Sequence, residues 1–109
     1  MFQEMQVAGV GGGTTIAPTV IQSWYTNSAI NYTYTIDKSK TYLFVMGYPR
    51  DGMWQQQQLV KMIKNGEISV VYGTDNTTVG TLALSGGTSL SYTRDSVTYP
   101  IYTWFIQLD

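Results

Sequence analysis

The sequence predicts an all-β, single-domain antiparallel β-sandwich of jelly-roll-like form, built from about eight or nine short strands. Three observations predict it. Apolar and polar residues alternate with period two, Gly, Asn, Asp and Pro punctuate the alternation about every ten residues, and 109 residues suffice for one core but not for two.

Residues 1–15 are expected to form a short strand or arm with a glycine-rich connector, and residues 16–109 the sandwich domain. The connector, GVGGGTT at residues 9–15, offers nothing to bury and loses the most entropy on ordering. Residues 20–25 then supply a first strand of the body. In residues 30–36, Ile30, Tyr32, Tyr34 and Ile36 point one way and Asn31, Thr33 and Thr35 the other, a strand with one wet face. Asp37, Lys38, Ser39 and Lys40 make a solvated turn. Residues 41–48 set Leu43 and Val45 against Tyr42, Phe44, Met46 and Tyr48. With both faces apolar, this strand belongs in the middle of its sheet.

Asn65-Gly66 can take the two positive φ angles of a type I′ turn, whose twist matches that of flanking strands. A two-residue loop there puts Lys64 opposite Glu67, Ile63 opposite Ile68 and Met62 opposite Ser69. A short helix competes over residues 55–64, where good helix formers, the spacing of Leu59, Met62 and Ile63, and an Asn-Gly C-cap coincide. The hairpin is preferred because Ile68, Val70 and Tyr72 continue a strand directly after the turn. Around Ser85-Gly86-Gly87, a three-residue loop aligns Leu84 with Thr88, Leu82 with Leu90 and Gly80 with Tyr92, gathering apolar groups on one face. A two-residue loop would set both leucines against serines. In residues 97–108, Tyr102, Trp104, Ile106 and Leu108 share one face, with core packing expected of Trp104. Tyr99, Ile101, Thr103, Phe105 and Gln107 share the other, and Pro100, unable to donate to a ladder, marks an edge or a bulge.

Composition excludes the commonest chemistries. The chain has no Cys and no His, which removes thiolate nucleophiles, imidazole relays and zinc or copper sites built on them. Its net charge of −1 argues against a grip on phosphates, so no nucleic-acid partner is expected. No run approaches the ~18 apolar residues of a membrane span, and MFQEMQVAGVGGG lacks the basic start and apolar centre of a signal peptide. The carboxylates Glu4, Asp37, Asp51, Glu67, Asp75, Asp95 and Asp109 all fall in expected turns, at termini or beside opposite charges: Asp37 precedes Lys38, Asp51 follows Arg50, Asp95 follows Arg94 and Glu67 faces Lys64. Solvated ion pairs account for them, and no catalytic residue, metal ligand or cofactor is assigned. Calcium at Asp51 or Asp75-Asn76 would find one or two oxygens where it takes about six to eight.

The chain carries nine Tyr, three Trp and three Phe, more rings than one small core obviously needs. Trp54 stands out within GYPRDGMWQQQQ, residues 47–58, a long polar insertion. Sugar sites stack pyranose faces on aromatic rings and fix the hydroxyls with amide and guanidinium groups. Tyr48, Arg50, Asp51, Trp54 and Gln57 bring that chemistry together within one loop and are the candidate ligand-binding residues. Three roles for Trp54 remain open: subunit contact, a cap on one end of the sandwich, or a ligand platform. Trp24 fits either core or surface.

The opening MFQEMQVAGVGGG, the strand KTYLFVMG after a DKSK turn, the K-N-G hairpin, the segment SGGTSLSYTR and the closing YPIYTWFIQLD resemble small β-sandwich proteins encoded among phage and prophage structural genes. The resemblance implies a non-enzymatic structural or appendage protein of a tail, baseplate or head. Such a protein would make protein contacts in a homo-oligomer, with host attachment as an extension of that role. It further implies a virion location, preceded by the bacterial cytoplasm before release. Residues 1–8 would then dock on another virion protein or add a strand to a neighbouring subunit, and removing residues 1–13 would leave the sandwich folded but less oligomeric. The alternative is a carbohydrate-binding module that recognises a surface glycan through the aromatic residues of the 47–58 loop.

Overall fold

The computed structural model describes residues 18–48 and 58–109. Within them the chain forms eight strands, β1 (Thr19–Thr26), β2 (Ile30–Thr35), β3 (Tyr42–Gly47), β4 (Gln58–Lys64), β5 (Glu67–Tyr72), β6 (Thr81–Ser85), β7 (Ser89–Arg94) and β8 (Ile101–Gln107), with one 3₁₀ turn at Thr77–Val79. They make two antiparallel sheets, a five-stranded one in the order β1-β8-β3-β4-β5 and a three-stranded one in the order β2-β7-β6. The nested pairs β1·β8 and β2·β7 are the wrapping pattern of a jelly roll, to which β3, β4 and β5 add a meander. Among the described residues, no helix is long and apolar enough to cross a membrane. The expected boundary between residues 15 and 16 falls outside the described residues.

The alternation read from the sequence becomes the two sides of each sheet. β2 buries Ile30 and half-buries Tyr32 and Tyr34 while exposing Asn31, Thr33 and Thr35. β3 lies between β8 and β4, as its two apolar faces require. Its inner residues Tyr42, Phe44 and Met46 meet Leu59 and Ile63 of β4 and Ile101 and Phe105 of β8 in one buried cluster, closed from the other sheet by Leu82, Leu90 and Tyr92. Aromatic rings fill most of it. Phe44 stacks on Phe105 with centroids 4.4 Å apart, and Tyr34 stands edge-on to Phe105 at 5.1 Å. Trp24 belongs to this interior too, edge-on to Tyr32 at 5.0 Å.

The turns follow local chemistry. Asp37 accepts from the Ser39 amide and hydroxyl at 2.9 and 2.7 Å, closing the β2–β3 turn. Asn65 and Gly66 take φ values of 55° and 77°, and Lys64 faces Glu67, Ile63 faces Ile68 and Met62 faces Ser69, the expected hairpin; residues 58–64 are strand and not helix. The β6–β7 loop has three residues, but they are Gly86, Gly87 and Thr88. Ser85 therefore faces Ser89, Leu84 faces Leu90 and Leu82 faces Tyr92. This pairing differs by two positions from the expected one and keeps the leucines on the same face. Gly80, at a φ of 126°, lies so close to Tyr92 that a Cβ there would collide with its ring.

Two further expectations are corrected at β8. Its inner side is Ile101, Thr103 and Phe105, all fully buried, whereas Trp104 lies on the side facing away from the second sheet. With apolar residues on both faces, alternation alone leaves the inward side undetermined. Pro100 is followed at once by β8, which is an inner strand between β1 and β3; the proline stands just ahead of the strand, where no ladder bond is lost.

Candidate functional site

One end of the sandwich gathers the connections that are not tight turns: residues 27–29, Tyr48 at the exit of β3, residues 73–80 and residues 95–100. Buried polar side chains tie two of these connections to the body. Arg94, 4 % exposed and pointing inward from β7, donates through one guanidinium nitrogen to the carbonyl oxygens of Thr26 and Ser28 at 2.7 and 2.6 Å. The Tyr92 hydroxyl donates to the Val79 carbonyl at 2.7 Å and lies 3.0 Å from Thr103 Oγ1. Burial raises the Tyr92 phenol above its ordinary pKa, against smaller opposing effects of the Thr103 hydrogen bond and the Arg94 charge. Lys61, on the inner side of β4, reaches Asp75 at 2.9 Å, with 9 % of the lysine side chain and 62 % of the aspartate exposed.

These anchors correct one expectation. The charge of Arg94 is spent on backbone carbonyls of the β1–β2 connection; Asp95, exposed beside it in sequence, is not its partner. The guanidinium Nε and its second terminal nitrogen are buried without a hydrogen bond. Lys61 went unnoticed in the sequence because a lysine between Val60 and Met62 looks like a break in the apolar pattern. Only the fold brings Asp75 over it.

Above these anchors, Tyr48 packs half-buried against the core and lines a cleft of about 240 Å³ with Thr78, Val97, Thr98 and Tyr99. Tyr99 is 43 % exposed, so its ring presents a face to solvent beside two threonine hydroxyls. Gln58 donates to the Tyr102 hydroxyl at 2.6 Å and, with Tyr72, Gly73 and Thr74, lines a second recess of about 540 Å³. Of the five candidate residues, only Tyr48 is among those described; Arg50, Asp51, Trp54 and Gln57 lie outside them. Tyr48 is instead joined by Tyr99, Thr78 and Thr98, which the sequence reading did not single out. The one available signal was Tyr99-Pro100, a ring held just ahead of a strand by a residue that cannot extend it.

Chemically, the cleft offers ring faces and hydroxyls. Of the described carboxylates, Asp75 and Asp95 lie at this end, the first engaged by Lys61, while Asp37, Glu67 and Asp109 lie at the other. Among the described residues no three potential metal ligands cluster. Comparison with family models, with curated proteins and with solved structures finds no match.

Proposed function

We propose that this chain is a non-enzymatic structural or appendage protein of the virion type, acting through protein–protein contacts within a homo-oligomer. The reading places it in a virion, and in the bacterial cytoplasm before release. The observation that supports it is the edge of the larger sheet, which no described strand or helix covers. There β5 presents Val70, Val71 and Tyr72 in succession at 43, 47 and 61 % exposure, with Glu67 at its first position as its sole charge. Edge strands of monomers are usually guarded by lysine, proline or a covering element, because their open amides and carbonyls template further pairing. An apolar edge with no guard among the described residues suits addition of a second copy. Light scattering across a concentration series tests it: the wild type should associate, and Val71→Lys should shift the population toward monomer. A wild type that stays monomeric at high micromolar concentration overturns the proposal.

A second reading rests on the cleft at Tyr48. Its ring pair and threonine hydroxyls suit a hexose face, so the chain would serve as a carbohydrate-binding module, alone or on a receptor-binding structure. A glycan array should then show hits that Tyr99→Ala abolishes while the oligomeric state is unchanged. An array without hits rejects this reading and leaves the first standing.

A further inference from the structure

β5 is the last strand of the larger sheet on its side, and the turn before it fixes which backbone groups it turns outward. A two-residue type I′ turn closes on a hydrogen-bonded pair, here Lys64·Glu67, and along an antiparallel ladder such pairs alternate with pairs that exchange no bonds. Met62·Ser69 is therefore bonded, whereas Ile63·Ile68 and Lys61·Val70 are not. Ile68 and Val70 accordingly direct their N–H and C=O groups away from β4, where no described strand takes them. Beyond Val70 the bulge displaces Val71, so the regular outward-facing stretch runs only from Ile68 to Val70. Side-chain cover is incomplete there too. Val70 stands opposite the buried Lys61, on the inner side of the sheet, yet it is 43 % exposed, so the cover that closes over β4 stops short of β5.

Resting on the reading of the chain as a homo-oligomer, we propose that the partner of β5 is β5 of a second copy, the two strands running antiparallel about a two-fold axis at Ser69. Ile68 of each copy then pairs with Val70 of the other, each pair exchanging both of its N–H···O=C bonds, while Ser69 faces its own counterpart without bonding. An axis normal to the sheet keeps both inner sides together, so Ile68 and Val70 of the two copies adjoin across the seam and cover one another. Other centres fit worse. An axis at Ile68 would set Val70 against Gly66, inside the turn at a φ of 77°, and would halve the spacing of the two Glu67 positions, which stand about 14 Å apart with Ser69 at the axis. An axis at Val70 would set Ile68 against Tyr72, on the far side of the bulge. Pairing of β5 with β1, the opposite edge of the same sheet, would be heterologous and leave another bare β5 at the end of every row. Self-pairing consumes both β5 edges and closes.

Because the chain has no Cys, Ser69→Cys reads the register directly. Opposed Cβ atoms of a non-bonded pair stand about 4.5–5 Å apart, near the span of a disulfide, whereas two Glu67→Cys positions are out of reach of each other. On mild oxidation Ser69→Cys should form a disulfide-linked dimer severalfold faster than Glu67→Cys. Val70→Pro removes an outward N–H and no bond to β4, so it should keep a β-type circular dichroism spectrum and scatter light as a monomer. A wild type that associates while Ser69→Cys links no faster than Glu67→Cys overturns this pairing and leaves the homo-oligomer standing; a wild type that stays monomeric rejects both. A Val70→Pro variant that associates like the wild type, or that loses its β-type spectrum, also overturns the pairing, since the Val70 N–H would then not lie on the seam.

Discussion

Phe105 is the ring on which the interior converges, with Phe44, Tyr34, Tyr42 and Tyr32 centred 4.4, 5.1, 5.6 and 6.1 Å away and no part of its side chain exposed. Truncation to Ala should cost about 3–5 kcal/mol, read as a lower urea midpoint at unchanged slope, because surrounding rings cannot collapse into the space of a benzyl group. Tyr92 makes a pH-dependent contribution. Its folded-state pKa lies above the ordinary 10.0, so its stabilisation is present below the unfolded value and is lost as pH rises through the folded one. Tyr92→Phe should be less stable at pH 7 by about 1–2 kcal/mol, since the Val79 carbonyl loses its donor. As pH rises above about 10 it should lose less stability than the wild type, as denaturant titrations at each pH will show. The alternation of Ile30 to Ile36 identified these inward positions in β2 from sequence. Phe105 was assigned to the opposite side from Trp104, yet which side was inward could not be read, because both carry large apolar groups.

At the scale of the element, the two hairpins differ in how well sequence specifies them. Asn65-Gly66 accepts only one loop length comfortably, and that fixes the pairs from Lys64·Glu67 to Lys61·Val70, beyond which a bulge sets Val60 opposite Tyr72. The Gly86-Gly87 loop has no such constraint. Registers that differ by two residues place Leu82, Leu84 and Leu90 on the same face, so period-two patterning cannot separate them. The ion pair of β4 with the loop after β5 also has unequal halves. Asp75→Asn should cost only about 1 kcal/mol, because water screens a carboxylate 62 % exposed. Lys61→Met, which removes the need to desolvate an ammonium group, should be neutral or slightly stabilising in the same urea assay.

Across the whole molecule, stability rests on pairings between distant segments: β1 with β8, β2 with β7, and β3 with both β4 and β8. Sandwiches of this kind fold slowly, so refolding from urea, followed by stopped-flow tryptophan fluorescence, should fall in the millisecond-to-second range. A microsecond phase carrying all of the amplitude would contradict it. The class of fold was legible because each strand announces itself locally. The candidate cleft was legible only at Tyr48, since Thr78, Thr98 and Tyr99 reach it on connections whose meeting depends on how the strands cross between the sheets. The position of β8 has a consequence for biosynthesis. It occupies the slot between β1 and β3, yet it is the last of the eight described strands to be synthesised. A nascent chain holding everything up to Arg94 has its two partner strands with a gap between them and Phe105 missing from the interior, so the larger sheet cannot close until residues 101–107 have been made.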